Sequence, residues 1–464
     1  MQKLTIPNLL VFEPKLSGSE KNKITLQIDN TDNSFAYYAE PSNGDFIVDK
    51  FHHFPVLINA DGSPWQHGVL YLLSKLESNQ IPSPKTLESI AVDLSHFMEF
   101  ISSTPPLDYL VSPKRKLQRP TYAYRAYLQE LLQDGLISKN TASRRMSSVI
   151  GFYRWLEKQH DTIFEHQLWD EREVYIQFYT AEGFSKIKHL TSTNLAVKVP
   201  ANNDDFSEYI IDGGRLRPLS KIEQENLIKA LIEIGNPEMT LAFLIALTSG
   251  ARIQTVFTLR IKHFIDININ ALREVPIKVG MGTGVDSKFQ KNMSIFIPAW
   301  LIDKIKMYLH SERALRRRTR SNHYFESEND QYLFLTQSGA PYYISETDPQ
   351  IIKYRTPQRG NAIRQFIKSQ LMPILVKNNS YFAFSFHDLR ATYGMNILEE
   401  KINKVEAGDY KLFDVLIFIR ERLGHKSTRT TELYLNYRQK QSIALNTQSN
   451  FESYLQNLIE ANFG

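Results

Sequence analysis

Four side chains between residues 387 and 434 have the types and spacing to act on a phosphate group. His387 and Arg390 lie three residues apart, so a helix would present them on one face. His425 and Tyr434 follow, nine residues apart. Arginine binds phosphate oxygens through a planar, permanently charged fork, histidine carries protons, and an activated tyrosine hydroxyl attacks phosphorus. This region therefore has the side chains to bind an anionic group and to act on it.

Two helix ends would hold these side chains. The spacing of Ser385 and Asp388 is typical of a capping box and predicts a helix that begins near Phe386. Its positive N-terminal end suits an anion, and phosphate is the common one. An apolar helix over residues 412–423 should stop at Gly424, which leaves His425 just beyond its end.

The C-terminal residues predict two more helices. Ser427 can cap a short helix that carries Thr430, Thr431 and Tyr434. Residues 439–464 also have a helical pattern, with apolar positions that include Phe451. This segment would form the C-terminal helix of the chain.

Two further cations stand at turns upstream. A buried helix over residues 241–247 should stop at Ser249-Gly250, and a second helix opening at Ala251 would carry Arg252 in its first turn. Residues 275–279 and 294–298 alternate as the strands of a β-hairpin. Lys288 lies on the return side of that hairpin, and Lys278 and Lys291 are alternatives to it.

In chain order these residues resemble the motifs of the tyrosine recombinases, or phage-type integrases. The matching positions are Gly250-Ala251-Arg252, Lys288, His387-Asp388-Leu389-Arg390, Leu423-Gly424-His425 and Tyr434. One departure is Gln254-Thr255-Val256, where many members of the family place a carboxylate. The resemblance implies a site-specific DNA recombinase that cuts and rejoins strands through a covalent 3′-phosphotyrosine, with no metal, ATP or other cofactor.

The resemblance also implies a role for each catalytic residue. Arg252 and Arg390 would bind the non-bridging phosphate oxygens, and Lys288 would protonate the departing sugar oxygen. Tyr434 would be the nucleophile, with Tyr437 a weaker alternative nearby. The two histidines complete the set: His387 as general base and His425 as a hydrogen-bond donor to phosphate.

The implied partners are double-stranded DNA recombination sites, a homotetramer of this chain on two duplexes, and accessory DNA-bending or directionality proteins. Two other functions stay open at this point. One is a type IB topoisomerase, which relaxes DNA with similar residues, and the other is a catalytically silent DNA-binding relative. Relaxation of any plasmid would favour the topoisomerase, whereas activity at a particular pair of sites would favour the recombinase.

The sequence predicts a multidomain chain, mainly α with small β-sheets, because 464 residues exceed one compact core. Residues 1–75 would form an N-terminal extension of short strands, with Ile24, Leu26 and Ile28 alternating and turns at Asn43-Gly44 and Asp61-Gly62. Residues 76–185 would form a helical core-binding domain, 186–205 a linker, and 206–464 an α+β catalytic domain.

Three amphipathic patterns define the helical domain, the third capped by Asn140. Trp169, Tyr175, Phe178 and Tyr179 indicate a further helix after them. The residues 198–205 are rich in helix breakers and form the first linker candidate, and Asp212-Gly213-Gly214 forms the second.

Clustered cations in both domains are candidate contacts with the DNA backbone, where phosphate neutralisation gives affinity without sequence information. A solvated helix face is the competing interpretation of each cluster. The candidates are Lys114, Arg115, Lys116, Arg144, Arg145, Arg154, Arg316 and Arg317.

Whole-chain composition agrees with this interpretation but does not establish it. The net charge of +5 and the pI near 8.9 are only mildly basic. The absence of cysteine excludes disulfides, cysteine zinc sites and thiol nucleophiles. The paired His52 and His53 lack the neighbours of a metal site. Without a signal-peptide pattern or a membrane-length apolar run, we expect a cytoplasmic protein.

Overall fold

The computed structural model divides the chain into two compact units, residues 1–202 and 203–464. Both units combine helices with two-stranded antiparallel sheets, so the expected fold class, mainly α with small β-sheets, is confirmed. The structure describes residues 1–14, 46–77, 82–103, 107–158, 163–179, 185–197, 209–267, 273–323, 325–378 and 382–463. The predicted strand at Ile24, Leu26 and Ile28, the turn at Asn43-Gly44 and the 198–205 linker lie outside these residues.

The first unit opens with a long hairpin, where short strands were expected. Strands β1 (Gln2–Pro14) and β2 (Phe46–Ile58) pair antiparallel along their full length. Phe54 and Leu57 of β2 are buried in the same core as the helices that follow. The N-terminal segment therefore packs on the helical part of the unit and shares its core.

Four helices form the rest of that core, because each has one apolar face that it cannot bury alone. Phe97, Tyr124 and Tyr153 meet at its centre. Asn140 is not the cap of the last helix, which begins one residue earlier after Ser138. The helices are α1 (Gln66–Ser74), α2 (Pro84–Ser103), α3 (Pro120–Gln133) and α4 (Lys139–Lys158).

The helix predicted from Tyr175, Phe178 and Tyr179 is wrong. Strands β3 (Glu171–Tyr179) and β4 (Ser185–Thr193) form an antiparallel hairpin. Along this strand Val174, Ile176 and Phe178 occupy every second position, a period-2 pattern that suits a strand better than a helix. The linker predicted over 186–205 is also corrected, since its first eight residues, 186–193, belong to β4.

In the second unit, a predominantly apolar helix lies at the centre of the core, and Phe243 and Ile245 on it are fully buried. Ser220 and Glu223 form a capping box at the start of the first helix of this unit, with both reciprocal hydrogen bonds formed. The predicted stop at Gly250 is confirmed, since this residue has φ +67° at the helix C-terminus. The first helices of the unit are α5 (Lys221–Ile234), α6 (Pro237–Ser249) and α7 (Ile253–Thr258).

Two hairpins carry residues toward the site. A very short one consists of β5 (Ile210–Ile211) and β6 (Arg215–Leu216). The predicted longer hairpin is confirmed as β7 (Glu274–Val279) paired with β8 (Met293–Pro298). Its inward-facing residues, such as Val275, are buried.

Of the remaining helices, the last three carry or flank the predicted site residues. α12 begins two residues after the predicted Phe386, and the Asp388 carboxylate accepts bonds from the backbone N–H and hydroxyl of Ser385 at 2.7 and 2.8 Å. The short helix expected after Ser427 and the separate C-terminal helix are one continuous helix, α14. The set is α8 (Ala299–Leu309), α9 (Glu312–Thr319), α10 (Asn361–Phe366), α11 (Met372–Asn378), α12 (Asp388–Glu406), α13 (Leu412–Leu423) and α14 (Thr428–Phe463).

Candidate active site

The six predicted catalytic residues come from five segments of the second unit. Arg252 directly precedes α7, outside the first turn in which the sequence placed it. The others lie in the β7–β8 loop (Lys288), at the start of α12 (His387 and Arg390), between α13 and α14 (His425), and in α14 (Tyr434).

One carboxylate that sequence analysis did not select lies among them. Asp212 accepts hydrogen bonds at its Oδ2 from Arg390 Nε (2.6 Å), His425 Nε2 (3.0 Å) and the Tyr434 hydroxyl (3.2 Å). Its Oδ1 lies 3.5 Å from Arg252 Nη2. A single buried anion thus contacts four of the six predicted residues.

Asp212 was predicted to belong to a linker, and this prediction is wrong. It lies at the tip of the β5–β6 hairpin, whose turn requires Gly213 at φ +74°. Ile210 and Leu216 anchor the hairpin, with 1% and 2% of their surfaces exposed. An Asp-Gly pair flanked by apolar residues is a hairpin signal, so the turn could have been predicted from the sequence.

The backbone of the same tip contacts the other two predicted residues. The Asp212 carbonyl accepts a hydrogen bond from the His387 ring. Gly213 lies against Lys288 so closely that an added Cβ would be 2.9 Å from the Lys288 Nζ. All six predicted residues are therefore brought together around residues 212 and 213.

Arg390 is held by the scaffold as well as by Asp212. Its Nη1 donates to the Gly250 carbonyl at 3.0 Å and its Nη2 to the Leu423 carbonyl at 2.6 Å. These carbonyls end α6 and α13, and the C-terminal ends of helices attract cations. Only 2% of Arg390 is exposed, so its position is fixed from three sides.

His425 is oriented by a hydroxyl that sequence reasoning did not select. Its Nδ1 lies 3.0 Å from the Thr431 hydroxyl, and its Nε2 faces Asp212. Because an ionised carboxylate only accepts, Nε2 carries the hydrogen and the Thr431 hydroxyl donates to Nδ1. The imidazole also packs beside the Tyr434 ring, with centroids 5.8 Å apart.

The pKa values of Asp212 and Tyr434 are shifted in opposite directions. Burial acts to raise the pKa of Asp212, but the His425 hydrogen bond and the Arg390 charge outweigh it and hold the pKa well below its usual range. Burial, followed by the Asp212 charge, raises the pKa of the Tyr434 phenol. With the carboxylate in place, Tyr434 is therefore protonated and a weak nucleophile.

The surrounding bases are shifted toward their neutral forms. Burial lowers the pKa of His387 to about 4, with Arg390 adding to the effect. Burial and the Arg390 charge lower the pKa of Arg252 to about 10, which leaves it charged at neutral pH. The pKa of Lys288 is also lowered, by desolvation and then by the Arg252 charge.

A cavity of about 230 Å³ opens beside Asp212 and is bordered by cations. Its lining includes four cationic side chains and one carboxylate, together with the His425 ring; the cations are Arg252, Lys288, Lys291 and Lys426, and the carboxylate is Asp212. A cleft lined by one sign of charge concentrates ligands of the opposite sign. The cavity is thus suited to an anionic group.

The structure distinguishes the three hairpin lysines. Lys288 borders the cavity beside Arg252. Lys291 Nζ instead donates to the Gly424 carbonyl at 3.0 Å, and Lys278 lies on the exposed face of β7. Of the three lysines, Lys288 is therefore the one that lies beside both Arg252 and the Asp212-Gly213 tip.

Asp286 holds the Lys288 loop, and sequence reasoning did not select it. Its buried carboxylate accepts from the Ser345 hydroxyl at 2.6 Å and from the Glu346 N–H at 3.0 Å. Its carbonyl accepts from the Thr255 hydroxyl at 2.7 Å. Thr255, in the segment that departs from the family pattern, thus links α7 to the lysine loop.

The two cations predicted from α9 have different environments. Arg316 is exposed and pairs with Glu312 one turn away at 3.7 Å. The prediction that Arg317 contacts DNA is wrong, because only 7% of its surface is exposed. It donates to the Leu335 carbonyl and lies 3.1 Å from the fully buried Glu238. Its charge neutralises an interior carboxylate and is not presented at the surface.

In the first unit, the predicted DNA-contacting cations are largely engaged within the unit. Arg144 donates to Asp93 at 2.8 Å, and Arg145 contacts the His96 ring at 2.9 Å. Lys114 and Arg115 are exposed. The remaining two form exposed ion pairs, Lys116 with Asp170 and Arg154 with Glu171.

Across the described ranges, no group of three or more histidine, aspartate or glutamate side chains is arranged to hold a metal ion. Among those same residues, no helix is both long enough and apolar enough to cross a membrane.

Comparisons with known proteins give structural neighbours alone. No protein-family model matches the chain, and no curated protein does. The chain is similar to a XerH site-specific recombinase bound to a difH substrate, at 16% identity over 80% of this chain and 85% of that one, with TM-score 0.43. It is also similar to the Tn1549 transposon integrase in complex with circular intermediate DNA, at 13% identity over 79% of this chain and 94% of that one, with TM-score 0.41. A third similar structure is a lambda integrase dimer bound to a core site, at 16% identity over 80% of this chain and 77% of that one, with TM-score 0.43.

Proposed function

We propose that the chain is a site-specific DNA recombinase, or integrase, that cuts and rejoins DNA through a covalent 3′-phosphotyrosine. The observation that carries this proposal is the convergence of Arg252, Arg390, His425 and Tyr434 on one anion. Two arginines, a donating imidazole and a phenol around a common anionic position are what a phosphodiester requires in order to be bound and attacked.

Binding of the phosphate is the first step. Arg252 and Arg390 donate to its two non-bridging oxygens, and the Nε2–H of His425 adds a third donor. These charges stabilise the negative charge that grows as phosphorus becomes five-coordinate. Arg390 is fixed by two helix ends, so little reorganisation is needed when the charge develops.

The nucleophile is the Tyr434 oxygen, which bonds to phosphorus while the bond to the 5′ oxygen breaks. His387 takes the phenolic proton: its lowered pKa, about 4, keeps it neutral and able to accept at neutral pH. Lys288 gives a proton to the departing 5′ oxygen, and its lowered pKa favours that transfer. The phosphotyrosine keeps the energy of the original ester, so rejoining needs neither ATP nor a metal ion.

The substrate of this proposal is a pair of double-stranded DNA sites in the cytoplasm, bound by four copies of the chain. Accessory proteins that bend DNA or set direction would belong to the same assembly. The exposed cations Lys114, Arg115 and Arg316 would contact the DNA backbone.

The test is covalent trapping. Nicked duplexes that tile the DNA on either side of the gene would be incubated with the full chain and examined for a denaturant-resistant protein–DNA adduct. We expect adduct with wild type and with Tyr437→Phe, and none with Tyr434→Phe, although Tyr434→Phe should bind intact duplex as well as wild type does. An adduct with Tyr434→Phe would exclude this tyrosine as the nucleophile.

A plasmid assay separates the recombinase from a topoisomerase. The recombinase should act only on plasmids that carry the mapped pair of sites. Relaxation of a plasmid that lacks them would instead indicate a topoisomerase.

A further inference from the structure

Asp212 occupies the position that the proposed reaction assigns to the scissile phosphate. Its carboxylate contacts Arg252, Arg390, His425 and Tyr434. A carboxylate resembles a phosphodiester in the feature that these donors recognise, because two oxygens share one negative charge. The same donors therefore fit either anion.

The two anions exclude each other. Both anions would accept hydrogen bonds from the Arg390 Nε–H and the His425 Nε2–H. Two negative charges in one buried site would also repel each other strongly. The carboxylate also accepts the Tyr434 hydrogen, so the nucleophile is bonded to Asp212 and not aimed at a substrate. A phosphodiester can take its place only if Asp212 leaves.

The nucleophile and two of its neighbours are buried as well. Tyr434, Arg390 and His425 expose 0%, 2% and 8% of their surfaces. The backbone at Gly213 lies against Lys288, and the Asp212 carbonyl accepts a hydrogen bond from the His387 ring. The hairpin tip thus covers the nucleophile and engages the other reacting groups at once.

The tip is built so that it can leave without unfolding the unit. Its strands are two residues each, and Ile210 and Leu216 are the residues that bury side chains in the core. Ile211 is 53% exposed, and Gly213-Gly214 form the turn. A change confined to residues 211–215 would remove the carboxylate and leave the core intact.

We propose that Asp212 is an internal substitute for the DNA phosphate, which keeps the free enzyme closed until a phosphodiester displaces the β5–β6 tip. This inference rests on the proposed function. Its alternative is a permanent role, in which Asp212 stays in place and orients the arginines during the reaction.

A first experiment tests the anion site without any DNA chemistry. Thermal unfolding of the full chain would be followed against inorganic phosphate at constant ionic strength. Asp212→Asn leaves buried cations without their counter-charge, so we expect a lower midpoint that phosphate restores in a saturable way. The matched control is Asp348→Asn, which removes a buried carboxylate that also contacts a tyrosine, a histidine and an arginine, Tyr332, His323 and Arg260. Asp348→Asn should lose stability without saturable recovery, and the same response in both variants would overturn the proposal.

A second experiment measures the rate of adduct formation on the nicked duplex. Displacing the carboxylate should accelerate it, because the competent fraction of the enzyme rises; for Asp212→Asn we expect on the order of ten-fold. Gly213→Ala keeps the carboxylate but strains the tip at positive φ. Because its Cβ would lie 2.9 Å from the Lys288 Nζ, its rate would be measured on a substrate with a 5′-bridging sulfur, which leaves without a proton from Lys288. We expect an acceleration of about five-fold on that substrate. A slower rate in Gly213→Ala would show that Asp212 works in place and would overturn the proposal even if Asp212→Asn failed to fold.

The two readouts separate this inference from the proposed function. Saturable recovery by phosphate without any wild-type adduct would leave the closed anion site correct and the proposed reaction wrong. A normal wild-type adduct with no recovery and no acceleration would leave the reaction correct and the closed state wrong.

Discussion

Replacing Arg316 and Arg317 separately by alanine should change different properties of the protein, because these neighbouring side chains of α9 face different environments. Arg317 faces the interior, where it lies 3.1 Å from the buried Glu238 and donates to the Leu335 carbonyl. Arg316 faces solvent beside Glu312. We expect Arg317→Ala to lower stability and Arg316→Ala to weaken DNA binding.

The magnitude follows from what remains around Glu238. Removing one partner of a buried ion pair costs about 3–5 kcal/mol when the other charge is left uncompensated. Here Arg313 keeps hydrogen bonds of 2.8 and 2.9 Å to Glu238, so we take the lower end, about 3 kcal/mol. For a unit of this size that corresponds to a fall of roughly 6–12 °C in melting temperature. Arg316→Ala removes only an exposed pair and should change stability by less than about 0.5 kcal/mol.

Two measurements test the expected loss of stability and the expected loss of DNA affinity. Thermal unfolding reports stability, and fluorescence anisotropy on intact duplex at several salt concentrations reports phosphate contacts. If Arg316 neutralises one phosphate, its removal should reduce the slope of log affinity against log salt by about 0.9. An Arg317→Ala protein that melts like wild type but loses affinity and slope would refute the assignment of Arg317 to the interior.

Three further predictions follow from the site. Lys288→Met should slow adduct formation by about 10²–10⁴, and a substrate with a 5′-bridging sulfur should restore the rate, because a thiolate leaves without a proton; no restoration would exclude Lys288 as the acid. Thr431→Val should slow the adduct step roughly ten-fold with unchanged duplex binding, because His425 loses the hydroxyl that orients it. The pKa values of His387 and His263 are lowered to about 4, so in the window from pH 6.5 down to 4 the unfolded chain binds protons that the folded chain does not. The free energy of unfolding should therefore be highest above pH 6.5 and fall as the pH drops through that window, by up to about 3 kcal/mol per histidine. Denaturant unfolding at pH 7.5, 5.5 and 4.5 measures this, and His263→Gln should make the free energy of unfolding depend less on pH.

Local features of the fold could be predicted from the sequence because their partners lie within a few residues. Ser220 and Glu223 form their capping box three residues apart, and Gly250 and Gly424 end helices through their own backbone conformation. The β7–β8 hairpin follows from alternation along each strand. In each case the determining interaction is nearly contiguous in the chain.

The turn at Asp212 has a local signal, but the partners of its carboxylate do not. Its partner Arg390 lies 178 residues away and Tyr434 lies 222 residues away, so no local pattern links them. The same holds for the predicted DNA-contacting cations: Arg144 pairs with Asp93 across 51 residues and Lys116 with Asp170 across 54. Charge clusters in the sequence show where cations are, but not which of them the fold neutralises.

The contacts of the site divide into those that the fold supplies and those that the anion supplies. Arg390 is held by the carbonyls that end α6 and α13, and His425 by Thr431, and neither arrangement depends on Asp212. A position surrounded by such fixed donors stabilises whatever anion enters it, and the strongly lowered pKa of Asp212 expresses that preference. Arg252 has a different environment, since the anion balances its charge at 3.5 Å and burial lowers its pKa. Exchange of Asp212 for a phosphodiester would therefore leave Arg390 and His425 in place, while Arg252 would adjust to the new anion.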